Sequence, residues 1–259
     1  MERHPVIVLA RGLFSKTSLS LAVWSRRSGW MDVTAKGMLR PRNNRLGDMP
    51  DEFDVSEMTL YRRPDSLYPI LVEHNLEAPA PALRSDWLKY AAFSSMRDVL
   101  SAVWKGYPAD EDDAWKIYGI LAGLQASAPR VNGLILCVAG IMRILAVTGV
   151  APLLDGCASC GADSSPGGWA VSWLDGGLVC TACLRRNGRQ REALIDRGLV
   201  EVLIRAAGIP ADNLAPLKPP SLDRSIRLLA VLRRWCESAL DISPVSLPRL
   251  AAALQGAAP

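Results

Sequence analysis

The chain has 259 residues, 49% apolar and 22% charged, a globular composition with room for one large domain or two small ones. Net charge is only +4, but it is unevenly spread: residues 1–47 hold nine Lys/Arg against two acids, and residues 48–77 hold two against eight. Residues 184–259 are basic again, twelve against seven, a distribution that implies a polyanionic partner and excludes a uniformly acidic surface.

Val6 to Ala10 reads as a strand. Ser18 to Ser25 reads as a second, with Leu19, Leu21 and Val23 alternating on one face. After a turn at Gly29, Met31 to Ala35 forms a third, and Phe53 to Arg62 and Pro69 to His74 complete about five short strands in the first 77 residues. That density of strands and glycine-bearing turns predicts a small barrel of the oligonucleotide-binding (OB) type, spanning residues 1–78. Between the third and fourth strands lies a basic loop, Lys36 to Gly47. Lys36, Arg40, Arg42 and Arg45, with Arg26 and Arg27 on the preceding turn, can track phosphates while Trp24 or Trp30 offers a stacking face. The alternative is a solvated loop with both tryptophans in the core. His74, at a strand end, is expected at the surface.

Pro79 and Pro81 signal a linker, after which the apolar period changes from two to 3.6 and an α-helical region, residues 79–259, is expected. Ser85 can cap a helix running to about Lys105, and Asp110 to Asp113 opens another, acids at its positive end, that Pro129 ends. Asn132 to Val147 is apolar nearly all round, so it should be the central helix of a bundle. The wider stretch Gly133 to Leu154 carries Arg143 in its middle and meets Gly149 and Pro152, which argues against a membrane span. Helices are expected again over Ile195 to Ala207 and Ser221 to Leu240, and a disordered tail from Gln255.

Cys157-Ala158-Ser159-Cys160 and Cys180-Thr181-Ala182-Cys183, nineteen residues apart, have the spacing of a four-thiolate metal site. A two-residue gap lets both sulfurs of a pair turn onto one ion, and the second pair closes the tetrahedron. Four protein ligands leave no open position, so one structural zinc per chain is expected, in an insertion at about residues 155–185; iron also accepts four thiolates. Trp169 to Trp173 alternates as a strand between the pairs. After Cys183, Arg185, Arg186, Arg189 and Arg191 form either a phosphate-contacting patch or a solvated linker. Cys137 and Cys236, in apolar helical settings, are expected to be packing residues.

No Gly-x-x-x-x-Gly-Lys-Ser/Thr loop, His-x-Glu deaminase signature or Gly-x-Ser-x-Gly elbow occurs, and the two histidines form no catalytic pattern, so no enzyme is expected. The first residues do not read as a secretory signal, which points to the cytoplasm.

Val6 to Gly29, followed by the Ala35-Lys36-Gly37 signature, Arg40-Pro41-Arg42 and the cysteine knuckle with Gly156, Gly161, Gly176 and Gly177, together resemble the bacterial RecO family of recombination mediators. The resemblance implies a non-enzymatic, nucleoid-associated protein that binds single- and double-stranded DNA and anneals complementary strands. With RecR it would help load RecA on strands covered by single-strand-binding protein, whose acidic C-terminal tail it would dock. It also implies Lys36, Arg40 and Arg42 as DNA contacts and the four cysteines as zinc ligands. Met38 and Leu39 depart from the family's more basic loop, and five acids lie close by between Asp48 and Glu57. An RNA-binding or ribosome-associated zinc protein with an OB fold is the alternative that the residues permit.

Overall fold

In the computed structural model, residues 1–40, 48–64, 66–186 and 193–256 are described. The fold is α+β: an N-terminal OB-type barrel followed by a helical bundle that carries the cysteine knuckle. Strands β1 (Glu2–Ser15), β2 (Ser18–Ser25), β3 (Gly29–Ala35), β4 (Val55–Tyr61) and β5 (Ile70–Ala78) close in the order β1-β2-β3-β5-β4. All pairings are antiparallel except the β3–β5 contact at Thr34 and Ile70.

The run Val6-Ile7-Val8-Leu9 does not alternate because β1 is buried on both sides. Val6 and Val8 join Leu19, Leu21, Val23, Val33, Met58 and Leu71 inside the barrel. Ile7 and Leu9, with Trp24, Phe53 and Val55, belong instead to the core shared with the helices. A strand covered on both faces reads as a continuous apolar run. Phe53 shows how tightly the two parts are joined. Its φ is +69°, a left-handed value unusual for a bulky residue. The burial of its ring between Tyr90 and Phe93, centroids 5.4 and 5.3 Å away, offsets that strain.

The proline-marked stretch is no loose tether. Ala80 is buried, and Pro81–Arg84 forms a short helix, α1. Helix α2 (Trp87–Trp104) is capped by Asp86, not Ser85: the Asp86 carboxylate accepts from the Leu88 and Lys89 N–H groups at 3.0 and 3.2 Å. Helix α3 (Glu111–Ser127) starts from Asp110, and α4 (Gly133–Val147) from Asn132, both through side-chain caps. Helix α4 is buried along almost its whole length and touches α2 and α3, as its all-round apolarity requires. Its one charge has a local role. Arg143 donates to the carbonyls of Ala206, Ala207 and Ile209, which close the end of α6 (Arg197–Gly208). Among the described residues no helix is long and apolar enough to cross a membrane.

Helix α7 (Leu222–Leu240) and α8 (Ser246–Leu254) complete the bundle. The sequence reading missed α8, which docks on α2 through a 2.8 Å bond from the Ser246 N–H to the Asp98 carboxylate. Ile195 belongs not to a helix but to a short strand, and the helix after it is capped by Asp196.

His74 is buried, not at the surface. Its neutral form satisfies both ring nitrogens: Nδ1–H donates to the Asp48 carbonyl at 2.7 Å, and Nε2 accepts from the Ser56 hydroxyl at 2.9 Å. Burial lowers its pKa below the ordinary 6.5, against the opposing pull of the Asp48 carbonyl. The unfolded chain therefore takes up the proton first. Stability is full above about pH 6.5 and falls as the pH drops through that value. His4 is shifted in the same direction. His74→Gln should flatten the fall in Tm between about pH 7 and 5 without abolishing it, since His4 remains. An unchanged pH profile would show that His74 does not carry this dependence.

Candidate metal centre and basic loop

The knuckle is built on a three-stranded sheet, β7 (Gly177–Cys180), β6 (Trp169–Ser172) and β8 (Ala193–Ile195), with the short helix α5 (Thr181–Arg186) after β7. Ala170 and Val179 on one face of the sheet and Val171 and Leu178 on the other are all buried in the helical core, so both faces anchor the unit to the bundle. Leu153 and Gly177 bridge the approach to the first cysteine pair and the start of β7. A Cβ at Gly177 would strike the Leu153 carbonyl oxygen, which is why glycine stands there.

These elements bring Cys157, Cys160, Cys180 and Cys183 together, their sulfurs all within 4.8 Å of one another. Cys160 Sγ and Cys180 Sγ are 3.9 Å apart, too far for a disulfide. Around an ion with four metal–sulfur bonds of about 2.3 Å, tetrahedral geometry sets sulfurs roughly 3.8 Å apart. The residues therefore fit a metal ion. Backbone N–H groups are aimed at the sulfurs, Cys180 N at Cys157 Sγ (3.3 Å) and Cys183 N at Cys180 Sγ (3.4 Å). Arg186 Nη2 lies 3.6 Å from Cys183 Sγ. Burial alone would push the Cys157 thiol up, but the N–H groups of Cys180, Cys160 and Ser159 outweigh it and bring it down to about 6. That favours the thiolate, the form that ligates metal, at Cys157. At Cys160 the Ala162 N–H is outweighed by the sulfurs of Cys157 and Cys183, and the thiol is pushed up to about 11. Cys137 and Cys236 are fully buried apart from this group, and burial pushes both thiols up, as packing residues require.

Among the described residues, the predicted DNA-contacting side chains do not form one patch. Lys36 and Arg40 are exposed just after β3. There the Leu39 N–H donates to the Thr17 carbonyl (3.1 Å) and the Gly37 N–H to the Ser18 hydroxyl (3.1 Å), so the segment lies against the β1–β2 hairpin tip. Gly37 has φ +71°, which accounts for the glycine after Ala-Lys. Lys16, at that tip and exposed, was not singled out from sequence; only the fold brings it beside Lys36. Arg42 and Arg45 lie outside the described residues, as do Arg189 and Arg191. Arg26 and Arg27 sit at the opposite end of β3, whose seven residues at about 3.3 Å each separate the two ends by roughly 20 Å. They face the start of α3 across a cleft lined by Glu111, Asp112 and Trp115, with Arg27 Nε 4.0 Å from Glu111. Arg185 and Arg186 are exposed on α5, beside the sulfurs.

Trp24 has no face to offer. It is fully buried, its indole donating to the Ala114 carbonyl at 2.9 Å and its ring edge-on to Trp104. Trp30 is half-buried and lines a groove with Tyr61, Tyr68 and Tyr107. Most of the acids beside the loop are engaged internally. Asp51 pairs with Arg11 and Arg84, Asp54 with Arg84, Glu57 with Arg3, and Glu52 accepts from the Tyr90 hydroxyl.

Comparison with known proteins adds an independent line. The sequence family described as "Recombination protein O C terminal" matches residues 84–248. Relatives named DNA repair protein RecO include that of Thermobifida fusca, 28% identical over 82% of this chain and 85% of its own. That of Gloeobacter violaceus is 27% identical over 91% of this chain and 87% of its own. That of Cutibacterium acnes is 26% identical over 70% and 73%.

Proposed function

The chain belongs to the recombination protein O family, which gives it a role in DNA repair and recombination, and on that premise we propose that it is a non-enzymatic mediator that binds single- and double-stranded DNA and anneals complementary strands. Lys16, Lys36 and Arg40, with Arg42 and Arg45 from the same loop, contact phosphates. The observation that carries this is the hydrogen-bonded apposition of the Lys36–Arg40 segment and the hairpin tip on an OB-type barrel, whose loops are the usual strand-binding surface of that fold. Neutralising two backbones at once lowers their repulsion and lets bases pair. Arg26 and Arg27, and Arg185 and Arg186, would act as separate contacts on a longer strand. The four cysteines hold one zinc ion, which braces the knuckle and supplies no chemistry. RecR and the acidic tail of single-strand-binding protein are the proposed partners, RecA the indirect one.

The test is annealing of complementary oligonucleotides precoated with single-strand-binding protein, over a salt series and without ATP. Acceleration that fades with salt is expected. Lys36→Ala, Arg40→Ala and Arg42→Ala combined should weaken single-strand binding and flatten its salt dependence, by about 0.7 in log–log slope for each phosphate that is no longer neutralised. Unchanged affinity at low and high salt would remove the loop from the binding surface.

A further inference from the structure

Beyond phosphate contacts, the hairpin tip carries an aromatic side chain that no core uses. Strand β1 outruns the barrel, and its last residues, Arg11 to Ser15, are all exposed. Leu13 is 78% and Phe14 59% exposed. The β1–β2 register steps from Leu13↔Leu19 to Ser15↔Ser18, so Phe14 is a bulged residue without a cross-strand partner. A bulge turns a side chain out of the ladder's regular alternation. Two large apolar groups at the end of an arm cost solvation free energy and contribute nothing to either hydrophobic core.

We propose that Phe14, with Leu13 beside it, is a base-stacking tip for single-stranded DNA, an inference that rests on the DNA-binding reading above. The charge around it selects this occupant over an apolar protein surface. Every charged residue from Gly12 to Ser20 and from Val33 to Arg40 is cationic: Lys16, Lys36 and Arg40. The two segments are held together by the Leu39–Thr17 and Gly37–Ser18 bonds. An exposed ring on a tip whose charged residues are all cationic matches a nucleotide, whose base offers a π face and whose phosphate offers the charge. Of the two aromatics that the sequence offered for this task, Trp24 is sealed in the core and Trp30 is half-buried at the other end of β3, and Phe14 takes their place.

The test is fluorescence anisotropy of the full-length protein with a labelled single strand and with its abasic counterpart, each over a salt series. Phe14→Ala should weaken binding of the intact strand roughly 5- to 150-fold, the range for losing one aromatic–base stack. Its salt slope should stay that of the wild type, because every phosphate-neutralising cation remains. The abasic strand should bind the variant and the wild type equally, and Phe14→Trp should retain tight binding of the intact strand. Equal losses on both strands, or no loss on either, overturns the stacking role while leaving the DNA reading intact. Intact strand binding with loss of a protein partner instead assigns the tip to that partner and likewise overturns it. A wild-type protein that binds neither strand overturns both readings.

Discussion

Cys157→Ser is expected to reduce bound metal from one ion per chain to a small fraction and to lower Tm by about 10 °C. Cys157 is buried, and the N–H groups that hold its thiolate cannot serve a serine hydroxyl in the same way. Loss of one ligand leaves Cys180 and Cys183 as buried sulfurs without an ion to share. The damage cannot stay local. Strands β6 and β7 supply Ala170, Val171, Leu178 and Val179 to the helical core, so loosening the knuckle opens that core at its edge. Loss of a structural metal belongs to the few mechanisms that reach about 4–5 kcal/mol, and in a chain of this size each kcal/mol is worth about 2–4 °C. Metal analysis with differential scanning calorimetry provides the check. A strong chelator should reproduce the shift in the wild type and add nothing in the variant. Full metal content in Cys157→Ser would show that this residue is not a ligand.

The second large effect is expected at Arg84. Its guanidinium donates to the Asp54 carboxylate at 2.6 Å and to the Glu52 carbonyl at 2.8 Å, and lies 3.3 Å from Asp51. Asp54 is 3% exposed and also accepts from the Ala80 N–H at 2.8 Å, so one buried carboxylate ties the segment before β4 to α1. Arg84→Met keeps the aliphatic stem and removes the charge, stranding Asp54 in the interior. Removing one partner of a buried pair typically costs about 3–5 kcal/mol, because the remaining charge is left uncompensated. Urea unfolding should show that loss in the single variant. Adding Asp54→Asn should recover part of it, since an amide oxygen can still accept from Ala80 without carrying charge. A single variant within about 1 kcal/mol of the wild type would mean the pair contributes little to joining barrel and bundle.

Much of this architecture is legible in the residues, for reasons that differ from element to element. The cysteine spacing announces its geometry because a metal demands it. Helix α4 announces its position because only a central helix can be apolar all round. Strand β2 alternates because its faces meet different surroundings. What stayed hidden depends on contacts between segments distant in sequence. The exposed arm of β1 has no hydrophobic period, so the strand seemed to stop at Ala10 although it runs to Ser15. Ser85 and Asp86 are both good caps, and the choice falls to the end of α1, which takes up Ser85. The Ile195 strand looks like a helix start until β6 pairs with it. His74 resembles a surface residue because Ser56 and the Asp48 carbonyl, its two partners, come from elsewhere in the chain. At the candidate interface, composition identified the cations, but only the length of β3 separates Arg26 and Arg27 from Lys36 and Arg40.

The wedge of Phe53 between Tyr90 and Phe93, together with the double-sided burial of β1, has a mechanical meaning. Parts that share side chains cannot swing on a hinge, so a strand gripped at the barrel's tip would pull on the helices as on the far end of a rigid lever. A partner seated on the bundle would then stand at a fixed offset from the gripped strand. In such a device the reach between them is set by the dimensions of the fold and not by a tether searching through solution.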